Sequence, residues 1–157
     1  MTNTAFYLAE PKNEMVFSYG PGSEEKSQLK RRLDELKSKP LDIPLIIGGQ
    51  EIRTGKTARL KSPHDHSLNL GVYHLAGVKE VELAIHEAMK ARVSWSRMPW
   101  EHRVSVFLKA ADLLSGPWRS TLVGATMLGQ SKTAYQGEIE AAAELCDFWR
   151  FNVYHLT

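Results

Sequence analysis

The sequence predicts an α+β architecture in which β-hairpin strands precede three to four helices. Three observations carry it. Gly48-Gly49 lies between the runs Leu45-Ile46-Ile47 and Gln50-Glu51-Ile52, the hydrophobic period changes from two to about 3.6 residues after Gly77, and no alternation of strand, Gly-rich turn and helix follows. A chain of 157 residues is long enough to bury a sizeable core.

In order along the chain, residues 1–22 mix aromatics with Pro11, Pro21, Gly20 and Gly22 and show neither period, so they are expected as an irregular arm. Residues 23–40 read as a short amphipathic helix. Ser23 stands at the N-cap, Glu24 and Glu25 occupy the first turn, Lys37 and Lys39 the end, and Pro40 stops the run. Its stripe is Leu29, Leu33 and Leu36. Residues 43–76 form the strand region: a hairpin around Gly48-Gly49, a second turn at Thr54-Gly55-Lys56, and strands over residues 57–61 and 68–75. Between these strands, residues 62–67 are expected as a polar turn. Residues 77–157 are the helical part. The first helix turns Val81, Ile85, Ala88 and Trp95 to one face, and the second carries Val104, Phe107, Leu108, Ala111 and Leu114. A third carries Trp118, Leu122 and Ala125, and the last begins near Thr133 with Ile139, Ala142, Cys146 and Trp149 on one stripe.

Composition narrows the function classes. Twenty basic residues stand against 18 acidic ones, so no concentrated basic surface for nucleic acid is expected, and a small metabolite is the better partner. No apolar run approaches the ~20 residues of a membrane span, so no membrane partner is expected. The single cysteine, Cys146, cannot form an internal disulfide, and nothing near Met1 reads as a secretory signal. A reducing cytoplasm is the default.

The candidate chemical groups each have a plain reading. His64 and His66 flank Asp65 in a metal-ligand-like triplet, but no third or fourth ligand has convincing spacing, and a surface turn is favoured. Cys146 sits on an apolar helix stripe, which favours a small buried hydrophobe over a nucleophile. Glu140, Glu144 and Asp147 share one face, expected in solvent. Glu138 lies at the side of the apolar stripe, where a partly buried carboxylate could meet an ammonium group. The four tryptophans read as core or interface anchors, since no basic groove accompanies them.

Particular strings go further. Ile43-Pro44-Leu45-Ile46-Ile47-Gly48-Gly49-Gln50-Glu51-Ile52-Arg53-Thr54-Gly55 resembles the N-terminal hairpin of aldehyde dehydrogenases. Ser62-Pro63-His64-Asp65-His66, Met98-Pro99-Trp100-Glu101-His102-Arg103, and the stretch from Ala125-Thr126-Met127-Leu128-Gly129-Gln130-Ser131-Lys132 through Gln136-Gly137-Glu138-Ile139-Glu140 to Phe148-Trp149-Arg150-Phe151-Asn152 resemble the 1-pyrroline-5-carboxylate branch of that family. The resemblance runs over roughly residues 5–157.

It implies an α/β parent fold of aldehyde dehydrogenase, Rossmann-type architecture, of which this chain is the N-terminal α+β piece. It also implies NAD as cofactor and L-glutamate γ-semialdehyde as substrate, oxidised to glutamate in proline degradation. In the family a cysteine thiolate attacks the aldehyde, and a glutamate activates the water that releases the acid. Those residues lie beyond the position matching Thr157, so no catalytic, cofactor-binding or metal residue is expected here, and the chain alone is expected to be inactive. Only Glu138, in the Gln-x-Glu-Ile motif, is implied at the substrate, meeting its α-ammonium group. The rest of the dehydrogenase chain and a homo-oligomer are the implied partners. The implied location is the bacterial cytoplasm, or the mitochondrial matrix in a eukaryote. The alternative is a non-catalytic interaction or oligomerisation module derived from the same N-terminus.

Overall fold

The computed structural model describes residues 8–156; residues 1–7 of the expected arm and Thr157 lie outside the described residues. Helix α1 (Glu24–Ser38) is capped by Ser23, whose hydroxyl accepts from Lys26 N–H at 3.3 Å. Its leucine stripe rests on α4 (Arg119–Gln130): Leu29, Leu33 and Leu36 surround Gly124, and Leu29 packs with Val123 and Ala142 in the core. The buried face of α4 is Val123, Gly124 and Leu128, with Arg119 at its start. This corrects the expected face. Trp118, at the N-cap, is 53 % exposed, and Ala125 is exposed because it lies off the Val123–Gly124–Leu128 face.

Five short strands lie between α1 and the later helices. β2 (Leu45–Ile47) and β3 (Gln50–Ile52) form the hairpin at Gly48-Gly49, whose φ values of 59° and 77° are the positive angles a two-residue turn demands. β4 (Thr57–Ser62) pairs antiparallel with β5 (Asp65–His74), and β1 (Leu41–Ile43) adds to the other edge of β5 in parallel. Two expectations change here. β1 was not foreseen, and the turn shrinks to Pro63-His64, since Asp65 and His66 already belong to β5. Asp65 organises that start by accepting from Ser67 N–H (3.0 Å) and the Ser67 hydroxyl (2.5 Å).

Hydrogen bonds tie the turn end of the sheet to the end of α4. Ser62, fully buried, donates from its hydroxyl to the Leu128 carbonyl at 2.8 Å, and His64 Nδ1 lies 2.9 Å from the Ser131 hydroxyl just past the end of α4. Helices α2 (Val78–Arg97) and α3 (Trp100–Ser115) follow. Val104, Ala111 and Leu114 of α3 are buried, whereas α2 buries no residue, contrary to the packed face expected for it. The chain then continues through α5 (Ala134–Gly137), a π-helical turn (Glu138–Ala143) and α6 (Glu144–His155). Thr133 and Gln136 cap α5 reciprocally.

Gly71 is the tightest backbone position in the sheet. At φ 149° it lies where side chains rarely go, and an added Cβ would stand 2.2 Å from the Leu41 carbonyl oxygen, inside the β1–β5 pairing. Gly71→Ala is therefore expected to lower the unfolding free energy by about 2 kcal/mol or more, and to strip exchange protection from residues 41–43 before the rest of the sheet. Denaturant titration with hydrogen exchange checks this; an unchanged midpoint would show that β1 can move aside at little cost.

Candidate functional site

Glu138 opens the π-helical turn. There the Glu144 N–H reaches back five residues to the Ile139 carbonyl, so one extra residue is held in the wider turn. The phase of the helix shifts, and Glu138, expected at the side of the apolar stripe, is fully buried instead. Its carboxylate oxygens take donors from three directions. Phe17 N–H donates to Oε1 at 2.8 Å, the Tyr19 hydroxyl to Oε2 at 2.6 Å, and Arg119 Nε lies 3.1 and 3.3 Å from the two oxygens. Arg119 adds a short contact from its second terminal nitrogen to Oε1.

Arg119 is itself only 4 % exposed. Its first terminal nitrogen donates to Glu14 Oε1 at 2.8 Å and toward the Ser115 carbonyl at 3.4 Å, while the other also meets the Met15 carbonyl. The guanidinium stacks 3.9 Å from the centre of the Phe17 ring. Glu14 bridges onward to Arg150 at 2.5 Å, and Asp147 accepts from Glu14 N–H and the Asn13 amide, both at 2.7 Å. Residues 13–19 of the arm are thus bound to the starts or ends of four helical segments by a single charged network. A buried ion pair of this kind is tolerable only because nearly every donor is used.

The network sets the titration of its members. Burial pushes the Glu14 carboxyl up, but hydrogen bonds from Arg119 and then Arg150 outweigh it and hold the group below the usual 4.5. Burial, followed by the neighbouring Glu138 carboxylate, pushes the Tyr19 phenol upward. For Arg119 burial opposes the charge, and Glu138 and Glu14 more than restore it. Beside these groups lies a cavity of ≈ 360 Å³ lined by Phe17, Tyr19, Gln28, Ser115 and Arg119 among others.

The expected site residues are placed as follows. Glu138 meets a cation, but it is the guanidinium of Arg119, 19 residues earlier, that fills the role assigned to an ammonium group. Oε2 of Glu138 is occupied by the Tyr19 hydroxyl and the longer Arg119 contact, and the side chain is fully buried. Cys146 is buried with its thiol 3.6 Å from the Ala111 carbonyl, and burial raises its pKa, the setting of a packed hydrophobe. Asp147, expected in solvent with Glu140 and Glu144, is half-buried under the arm, whereas Glu140 and Glu144 are exposed and Glu140 pairs with Lys132. His64 belongs to the fastening at Ser62 and Ser131. No group of three metal-ligating side chains occurs among the described residues.

Sequence reasoning missed Arg119, Glu14, Arg150 and Tyr19. It also missed buried His74, whose Nε2 lies 3.1 Å from Asp42 while its Nδ1 accepts from Gly55 N–H. An arginine at the first position of α4, on the side that faces the core, was the available signal. Nothing fits a nucleotide's phosphates at the passage from β5 into α2. It has one glycine, Gly77, and the Glu80 carboxylate already accepts from Gly77 N–H at 2.7 Å.

Known proteins share the sequence and the fold of this chain. The delta-1-pyrroline-5-carboxylate dehydrogenase of Agaricus bisporus is 45 % identical over 152 residues, covering 96 % of this chain and 28 % of the relative. The mitochondrial delta-1-pyrroline-5-carboxylate dehydrogenase of Homo sapiens is 41 % identical over 140 residues, 89 % of this chain and 25 % of the relative. The crystal structure of the Delta-pyrroline-5-carboxylate dehydrogenase from Mycobacterium tuberculosis bound with NAD superposes with a TM-score of 0.94 at 42 % identity, covering 97 % of this chain and 29 % of that one. The chain therefore spans between a quarter and three tenths of the length of these relatives. The profile of the aldehyde dehydrogenase family matches residues 52–157, well over half of the sequence. With the aldehyde dehydrogenase-like fold seen in the superposition, this establishes that the chain belongs to the aldehyde dehydrogenase family.

Proposed function

We propose that this chain is the N-terminal part of an NAD-dependent dehydrogenase that oxidises L-glutamate γ-semialdehyde, the open form of 1-pyrroline-5-carboxylate, to L-glutamate in proline degradation. The observation that carries this is the superposition at TM-score 0.94 and 42 % identity along almost the whole chain. NAD, when bound to the rest of such an enzyme, accepts the hydride from the aldehyde carbon. The residues described here supply structure to that enzyme. They offer neither a phosphate cradle nor an activated thiol, so the chain alone is inactive under this reading. An assembled homo-oligomer in a reducing compartment, bacterial cytoplasm or mitochondrial matrix, belongs to the same proposal.

Within it, Glu138 is the residue of this chain assigned to the substrate's α-ammonium group, a reading supported by the Gln-x-Glu-Ile motif that Gln136-Gly137-Glu138-Ile139 carries. Arg119 and the arm support this by holding the carboxylate in one orientation. Two outcomes follow. Mixing the purified chain with NAD and glutamate semialdehyde yields no NADH, and Cys146-dependent NADH formation would overturn the reading. In the complete enzyme, Glu138→Gln, which keeps an acceptor for Phe17 N–H, raises the apparent KM for glutamate semialdehyde; an unchanged KM removes Glu138 from the substrate.

The arm has its own outcome. Arg119→Leu leaves Glu138 buried without its cation and is expected to lower stability by about 3–5 kcal/mol in denaturant titration. Glu14 has a folded pKa depressed below 4.5, so its contribution is complete above that pH and fades as pH falls through the lower folded value. Melting curves of wild type and Glu14→Gln should accordingly differ at neutral pH and converge in acid. Parallel curves at all pH values would show that Glu14 contributes nothing through its charge.

A further inference from the structure

Helix α1 carries a second face beside its leucine stripe. Gln28, Arg31, Arg32 and Glu35 recur at steps of three and four. This face and the start of α4, with Trp118, Ser120 and Thr121, line a cavity of ≈ 480 Å³. A volume of that order suits a small organic ligand.

The polar groups of the cavity are under-used. Arg31 is exposed and has no hydrogen-bond or ion-pair partner among the described residues, and neither the Ser120 nor the Thr121 hydroxyl has one. Arg32 donates from one terminal nitrogen to Glu35 at 2.6 Å, yet its Nε is buried without an acceptor, which native folds rarely leave standing. Gln28 spends its amide on Glu24 at 3.0 Å. Two guanidiniums thus share one carboxylate in the cavity, that of Glu35. Trp118 adds an indole that is 53 % exposed and stands apart from the buried Val123, Gly124 and Leu128 face of α4.

Guanidiniums and hydroxyls together select an anion with several oxygens, and an open indole selects a flat ring. The geometry points to a binding site for a nucleoside monophosphate between α1 and α4, with the phosphate held by Arg31, Arg32 and the Ser120 and Thr121 hydroxyls and the base stacked on Trp118. Phosphate suits this set better than carboxylate because its three terminal oxygens can serve all of these donors. An anion that draws the Arg32 guanidinium from Glu35 also supplies the acceptor that Nε lacks. A continuing nucleic-acid strand suits it less, since Glu24, Glu25, Asp34 and Glu35 on the same helix repel further phosphates. The site uses only side chains of this chain and does not rest on the dehydrogenase reading.

Titration of the purified chain with adenosine 5′-monophosphate, read by calorimetry and by backbone amide shifts, tests this, with inorganic phosphate and adenosine as separate arms. The expected dissociation constant is on the order of 10⁻⁴ M. Amide shifts concentrate at residues 28–35 and 117–121, and phosphate or adenosine alone binds at least about tenfold more weakly. Arg31→Gln and Trp118→Ala change exposed side chains, so both keep the melting temperature while each weakens the nucleotide about tenfold. Arg31→Lys, which keeps the charge and loses the planar fork, falls between Arg31→Gln and wild type. No heat and no shifts at millimolar nucleotide overturn the proposal, as do shifts centred elsewhere or variants that bind like wild type. Phosphate that binds as tightly as the nucleotide leaves an anion site without base recognition and overturns it too. So does a single-stranded oligonucleotide that binds more tightly than the monophosphate, which would make this a nucleic-acid surface.

Discussion

Arg119 and Glu138 meet in the buried interior, and the rest of the helical body is arranged so that this can be so. A guanidinium and a carboxylate each lose several kcal/mol of hydration on burial, a loss offset only when the pair is close and the remaining donors and acceptors are occupied. Glu14, Tyr19, Phe17 and the Ser115 carbonyl occupy them. The arm is therefore bound by charge and geometry more than by apolar area: Met15 and Val16 point outward at 69 and 43 % exposure, while the residues on either side make the polar contacts. Because α3, α4, the π-turn and α6 all contribute, the network also fixes the angles between them.

Much of the local structure was legible in the residues themselves. Ser23, Gly48-Gly49 and the Thr133–Gln136 box act over two or three residues, so their consequences could be read directly. The family was legible for another reason: strings such as Ser62-Pro63-His64-Asp65-His66 carry shared ancestry, which periodicity does not. What stayed hidden was long-range. β1 exists because Gly71, thirty residues later, lets a parallel neighbour approach. Arg119 pairs with a residue 19 positions away, across a helix whose phase an inserted residue has shifted. The stripe of α2 was read correctly as apolar. It is nevertheless exposed along its length, so the rule that such a face is buried placed it wrongly.

These two features divide the molecule's surface by purpose. One side is self-sealed, with arm, α1 and α4 closed over a polar core whose groups answer one another. The other side, α2 and the groove lined by Trp95, Phe107 and Trp149, is left apolar and open.

The π-turn bears on how this helix can change over evolutionary time. In an ordinary α-helix each residue advances the face by about 100°, so inserting or deleting one residue rotates everything beyond it. Here the extra residue between Glu138 and Ala143 already holds that rotation, with Glu138 turned to Arg119 on one side and Cys146 and Val153 turned to α3 on the other. Deleting a single alanine from Ala141-Ala142-Ala143 would restore a regular helix and leave one of those two faces misaligned. Alignments of related chains should therefore tolerate substitution within this alanine run far more readily than any change in its length.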